Sequence, residues 1–192
     1  MTQAIDGIEG FLSQRSFQQG LSMWQEERLS RDSRYDEWTN EQSLNMISTD
    51  GDSTGRKAEM MIMNELKSMG YGCEIGNGRE ACDVYLDSGE GIEVKSARPS
   101  TSKQYVFGGI QKKSKITIFM FIRKEGLQCC VANTIELCRW ANKYYTYIIQ
   151  GKKSGYSIPF HAYTYKNKNM QGYDILRPLT KKNIEWALGR KP

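Results

Sequence analysis

One histidine, His161, is all that the 192 residues contain. Acid–base chemistry built on imidazole would rest on that single side chain, which lies in a tyrosine-rich, strand-like stretch that favours a structural role. The five cysteines (Cys73, Cys82, Cys129, Cys130, Cys138) are odd in number and no two have CxxC spacing. That argues against both a disulfide framework and a zinc site. The thiols read as small apolar core residues of a reducing compartment. A nucleophilic Cys–His pair, Cys130 or Cys82 with His161, has no local signature to support it. Long apolar runs are also missing: the longest lies within residues 116–122 and is interrupted by Thr117, against roughly 20 residues needed to cross a bilayer. The first ten residues carry acids where a secretory leader carries bases, so a cytoplasmic protein with no membrane partner is expected. There is no internal repeat, low-complexity tract, helix-turn-helix or zinc-finger signature. If the chain is an enzyme, its chemistry comes from carboxylates and lysines.

What is present is a folding composition. Hydrophobic residues make up 39% and charged residues 26%, with eleven tyrosines and four tryptophans, enough for one domain with a proper core and a small appendage. Charge is distributed very unevenly. Residues 1–50 carry net −5 and residues 51–97 net −4, whereas residues 98–192 hold eighteen bases against four acids, net +14, inside a formal total of +5. A basic half interleaved with Tyr144, Tyr145, Tyr147, Tyr156, Tyr163, Tyr165 and Tyr173 suits a polyanion, and nucleic acid better than a small acidic ligand.

Periodicity divides the chain. Residues 1–44 have helix-compatible apolar spacing, and residues 48–55 (STDGDSTG) have the composition of a linker. A helix capped by Ser53 or Thr54 is expected to run to about Met69 and stop at Gly70. The period then changes to two, predicting strands near 71–75, 81–87, 91–97, 105–110, 115–123 and 128–131. A helix over 134–147 follows an Asn133/Thr134 cap. Another strand-like stretch covers 156–164, and a last helix runs from a Thr180 cap to a Gly189 stop.

The chemistry concentrates in residues 59–95. Segments 82–87 and 92–96, joined through Ser88-Gly89-Glu90-Gly91, read as a β-hairpin. Glu93 and Lys95 are two apart and share one face of their strand, while Ile92 and Val94 enter the other. Asp83 joins the charged face only if cross-strand partners sum to an even number, as in 83 with 95. That demands an odd loop, 88–90 or 89–91, with Gly91 at the left-handed position in the second case. Two carboxylates beside an ammonium suit Mg²⁺, which takes oxygen ligands and keeps several waters. Asp83 and Glu93 could hold the metal while Lys95 orients or helps deprotonate a water attacking phosphorus. Upstream, Glu59 lies on the same helical face as Ile62, Met63 and Leu66, and a carboxylate directed coreward needs a partner such as the metal or Lys95.

Glu59 on a helix, Asp83 on one strand and Glu93-Val94-Lys95 on the next resemble the PD-(D/E)xK nuclease superfamily, over roughly residues 54–150. Cys82 stands where the name-giving proline would be. The resemblance implies an α/β fold with a restriction-endonuclease-like core: a mixed β-sheet flanked by helices, here preceded by an N-terminal helical segment. It divides the chain into a helical segment 1–50, a candidate protein-contacting surface, and a nuclease domain 51–192 with a basic, Tyr-rich C-terminal part. It implies a Mg²⁺-dependent endonuclease acting on double-stranded DNA, of restriction type or the cleavage subunit of a heterodimeric type IIS enzyme. Its partner would be a larger DNA-recognising subunit or a second copy of the chain. The catalytic set would be Asp83, Glu93, Lys95 and Glu59, with Asp83 and Glu93 on the metal. Junction resolvases, homing endonucleases and repair nickases share the core, and a non-catalytic nucleic-acid-binding module is the alternative from another class.

The candidate phosphate-binding residues are Lys112, Lys113 and Lys115 in one cluster and Lys152, Lys153, Lys166 and Lys168 in another. Binding of duplex DNA, measured in Ca²⁺ to suppress cleavage, should weaken steeply with salt. Replacing either cluster by alanine should lower the slope of log K against log salt by roughly 0.9 for each phosphate that is no longer neutralised. A slope identical to wild type would make the charge a solvated face.

Overall fold

A computed structural model describes residues 38–47, 51–77, 81–100, 104–145, 147–148, 155–161 and 175–190. Of the expected N-terminal helical segment, only its end falls within these residues. There the helix α1 (Glu41–Met46) starts at Asn40, whose side chain accepts the Ser43 N–H. The next helix, α2 (Gly51–Ser68), begins inside the stretch whose composition reads as a linker. Serine, threonine and aspartate are cap-forming as well as loop-forming, and here burial of Ala58, Ile62 and Leu66 on one stripe decides for helix. At its end Gly70 adopts φ +89° and the Tyr71 N–H reaches back to the Leu66 carbonyl at 3.0 Å, closing the helix as expected.

Nine strands and two further helices follow among the described residues: β1 (Cys73–Ile75), β2 (Val84–Leu86), β3 (Gly91–Ala97), β4 (Gln104–Ile110), β5 (Ile116–Arg123), β6 (Gly126–Asn133), α3 (Thr134–Tyr144), β7 (Tyr147–Ile148), β8 (Gly155–His161), β9 (Arg177–Pro178) and α4 (Lys181–Leu188). The fold is mixed α/β. A six-stranded sheet in the order β1-β2-β3-β5-β6-β9 is antiparallel except at β3/β5, and a smaller sheet runs β4-β8-β7. Helix α3 starts at Asn133, whose Oδ1 accepts the Ile135 and Glu136 N–H groups, and α4 at Thr180, which accepts from Asn183. Asn133 also donates through Nδ2 to the Ala187 carbonyl at 2.8 Å, tying the start of α3 to the last turn of α4.

β5 explains why its sequence is almost wholly apolar: it is central, and residues 116–122 are buried on both faces. On one face Ile92, Val94, Ile116, Ile118, Met120 and Ile122 meet α2 and α4. On the other, Ala97, Phe119, Phe121, Cys130 and Ala132 meet α3 and the smaller sheet. Phe107 of β4 packs edge-on against Phe119 and Phe121, with ring centroids 4.9 and 5.0 Å apart. All five cysteines are free. Burial pushes the Cys129 and Cys130 thiols up to about 12, and Cys130 lies fully buried in the core. No helix among the described residues is long and apolar enough to cross a membrane.

Two contacts tie parts of the chain that are far apart in sequence, one at the β2–β3 turn and one on β4. Arg190, just past α4, donates to Ser88 Oγ at 2.9 Å, pairs with Glu90, and lies 3.5 Å from Glu185. Gly155, at the start of β8, fits against the backbone of β4 where that strand bulges between Phe107 and Ile110. Gly155 has φ +141°, and a Cβ there would stand 2.5 Å from the Gly109 carbonyl carbon and 2.7 Å from the Ile110 nitrogen. Because the obstacle is backbone, no rotamer change relieves it. Gly155→Ala should therefore cost roughly 2–4 kcal/mol in urea unfolding. Gly108→Ala, at a position with nothing within 4 Å, should stay within about 0.5 kcal/mol of wild type.

Candidate active site

The site is set by the register of the β2–β3 hairpin. Val84 faces Ile92 and Tyr85 faces Gly91. The Asp83 N–H donates to the Ile92 carbonyl at 3.0 Å, so the same numbering brings Asp83 opposite Glu93, two residues short of the expected partner Lys95. The parity holds but the turn differs. Its three residues are Asp87, Ser88 and Gly89, closed by the Leu86 N–H to Glu90 O at 3.0 Å and the Gly89 N–H to Leu86 O at 2.8 Å. Gly89, with φ +92°, takes the left-handed position expected of Gly91. Gly91 is needed for a steric reason instead: a Cβ there would lie 2.4 Å from Cys82 Sγ. Cys82, standing where the resemblance would have proline, packs into that gap and reaches the Lys113 carbonyl at 3.7 Å.

Because β2 starts only at Val84, the Asp83 side chain takes over the pairing of β3: its Oδ2 accepts the Val94 N–H at 2.8 Å. Val94 lies between Glu93 and Lys95 in sequence, so this bond fixes the aspartate beside both. Glu93 and Lys95 form a direct ion pair, with side chains 17% and 25% exposed. Glu93 is held above the usual carboxylate range. Burial is the main cause, the Asp83 charge adds to it, and Lys95 and, less strongly, Lys113 oppose it. The Lys95 ammonium stands 3.9 Å from where a Cβ on Gly109 would be, so the glycine bulge of β4 forms the neighbouring wall.

Such an arrangement fits a hard divalent cation. Asp83 and Glu93 lie opposite each other across one rung, and the Asp83 charge adds to the cost of ionising Glu93. Among the described residues no group of three or more His, Cys, Asp or Glu is placed to hold a metal ion.

Glu59 is not brought to this group. Helix α2 packs on the face of β3 that carries Ile92 and Val94, whereas Glu93 and Lys95 project from the opposite face. The coreward partner expected for Glu59 is replaced by Arg56, one turn earlier, at 2.9 Å. Lys112, Lys113 and Lys115 are exposed in the turn before β5. Lys152, Lys153, Lys166 and Lys168 lie outside the described residues. Among the tyrosines, Tyr144 and Tyr147 are exposed, whereas Tyr156 is buried with its hydroxyl donating to Asn142 Oδ1 at 2.9 Å. Sequence reasoning missed the Gly108–Gly109 bulge, although paired glycines in a strand pattern are its usual signal. It also missed the buried hydroxyl cluster of Ser114, Thr117 and Thr134, which no local pattern announces.

No protein-family model matches the sequence, and no curated protein matches it. Among solved structures the fold is similar to that of a bacterial homing endonuclease, I-Ssp6803I. The TM-score is 0.51 with 14% identical residues, over 73% of this chain and 95% of that one. At that identity the likeness is one of fold, an α/β core with a mostly antiparallel sheet between helices.

Glu93 carries a testable cost. An acid whose pKa is higher in the folded than in the unfolded chain adds stability at acidic pH that is lost as pH rises through its folded value. Glu93→Gln should therefore raise the melting temperature at pH 7–8 in metal-free buffer, and the gain should vanish below the unfolded glutamate value of about 4.3. A gain independent of pH would point to packing instead.

Proposed function

We propose that the chain is a Mg²⁺-dependent DNA endonuclease of the PD-(D/E)xK type, working as a restriction-type enzyme or as the cleavage subunit of one. One observation carries the reading: Asp83 and Glu93 face each other across the hairpin, with Lys95 on the same charged face and ion-paired to Glu93. The fold likeness to a homing endonuclease supports an endonuclease core, and the +14 charge of residues 98–192 supports a polyanionic substrate.

When bound between Asp83 and Glu93, Mg²⁺ supplies Lewis-acid stabilisation of a phosphoryl oxygen and a more acidic water. The chain's own groups do the rest. The Val94 N–H holds one oxygen of Asp83 and so aims the other. Glu93 is part-shielded from solvent, so a neighbouring cation acts on it more strongly than it would in bulk water. Lys95 orients the attacking water and offsets the charge that develops as the phosphodiester opens by in-line displacement. A single centre of this kind cuts one strand, so duplex cleavage calls for a second catalytic chain. The acidic segment 1–50 is the candidate surface for a DNA-reading partner. That second chain is either carried by the partner or a second copy of this chain, which would make a self-sufficient homodimer.

Asp83→Ala, Glu93→Ala and Lys95→Ala should each lower Mg²⁺-dependent plasmid cleavage by roughly a thousand-fold or more while the circular dichroism spectrum is retained. Near-normal activity in any two would sink the assignment. Glu59→Gln should lower activity far less. Purified protein at excess over plasmid should nick weakly and without sequence preference. Ordered, site-specific cutting should need the partner; clean site-specific double-strand cleavage by the isolated chain would select the homodimer.

A further inference from the structure

An aromatic cluster stands where the end of α3 meets the smaller sheet, and the proposed chemistry uses none of it. Trp140 and Tyr145 are half-buried against the core, and the Trp140 ring packs on Tyr145 at 5.7 Å and on Tyr144 at 5.4 Å between centroids. Tyr147, at the start of β7, meets the buried Tyr156 of β8 edge-on at 5.0 Å, and the Tyr156 hydroxyl donates to Asn142 of α3. Tyr144 and Tyr147 are thus held at one corner, yet they remain 53% and 42% exposed. Their surroundings are cationic. Arg139 and Lys143 are exposed on the neighbouring stripe of α3, and the one acid of that helix, Glu136, lies in its first turn, about 12 Å along the axis from Tyr144. The candidate active site is close: Ile110 faces Tyr156 and Tyr156 faces Tyr147, two strand spacings or about 10 Å, and Ile110 follows Gly109, the wall beside the Lys95 ammonium.

An exposed ring beside cations suits a nucleobase. In duplex DNA each base is covered on both faces by its neighbours, so a protein ring finds a face to stack on only where the stack ends or opens. We propose that Tyr144 and Tyr147 form a stacking platform for unpaired bases of the DNA strand that passes the candidate active site, with Arg139 and Lys143 attracting its phosphates. The proposal rests on the endonuclease reading and deepens it. The preferred substrate is DNA whose bases are unpaired within a few nucleotides of the cut, since each nucleotide of a strand spans about 3.4 Å of helix axis. Stacking tolerates any base, so the platform adds affinity without sequence preference.

Binding is read by fluorescence anisotropy in Ca²⁺, which suppresses cleavage, with a labelled blunt duplex and with the same duplex carrying a single-stranded oligothymidine extension on one strand or the other. The wild type should bind at least one of the extended duplexes roughly ten-fold more tightly than the blunt one. Tyr144→Ala and Tyr147→Ala should each remove most of that advantage and leave blunt-duplex affinity within about two-fold of wild type. Tyr144→Phe and Tyr147→Phe, which keep the ring, should retain it. Lys143→Met should weaken blunt and extended duplexes alike and lower the salt slope. No advantage for an extended duplex in the wild type, or an advantage untouched by both alanine variants, would overturn the platform. Loss of self-association in those variants by sedimentation, with DNA binding unchanged, would assign the corner to a protein interface and overturn it equally. Cleavage of the blunt duplex in Mg²⁺ is scored separately, so the endonuclease reading survives each of these outcomes. Failure of the wild type to cleave any of the duplexes in Mg²⁺ would overturn that reading, and with it the place of the platform beside a cut.

Discussion

β3 has to satisfy two incompatible neighbourhoods, and the rest of the molecule is arranged around that demand. It pairs antiparallel to β2 and parallel to β5. Its even-numbered residues Ile92 and Val94 complete an aliphatic layer closed by α2 and α4, while Glu93 and Lys95 emerge on the side of the smaller sheet. A slip of one residue would drive both charges into that aliphatic layer and put isoleucine and valine on the polar side. The hydrophobic core thus enforces the orientation of the charged face without touching it.

Asp83 depends on the same strand. Its carboxylate stands in for a missing strand partner by accepting the Val94 N–H, so a backbone hydrogen-bond requirement, not a charge partner, sets its position. The result is two acids held together by architecture, with Lys95 offsetting part of the repulsion and burial keeping Glu93 reluctant to ionise.

The elements that announce themselves by period were legible. β3 occupies residues 91–97 as expected, β5 needed only its apolar run, and the Thr180 and Gly189 boundaries of α4 follow from cap and left-handed stop. Legibility failed where a distant neighbour decides. The hairpin turn closes at Gly89 and not Gly91 because Gly91 is committed to making room for Cys82, a contact no local pattern encodes. The two-residue strands β7 and β9 carry no period at all. Helical phase puts Glu59 on the flank of the apolar stripe, but it cannot say that Arg56 lies within reach or that β3 turns its charges to the other side. The acidic first 37 residues and four of the seven lysines lie outside what the structure describes, so the charge asymmetry is read from the sequence there.

The Arg190 contact has a consequence for the order in which structure is acquired. The β2–β3 hairpin is built from residues close in sequence and closes over a three-residue turn, so its pairing is among the cheapest the chain can form. The ion pair at the turn is of another kind, since Glu90 and Arg190 are 100 residues apart. Until α4 has docked and delivered the guanidinium, Glu90 has only Ser88 to bond, and the turn is a local structure with an unbalanced charge. The outer end of the hairpin that carries Asp83 and Glu93 is thereby tied, through Ser88 and Glu90, to a helix at the other end of the described chain.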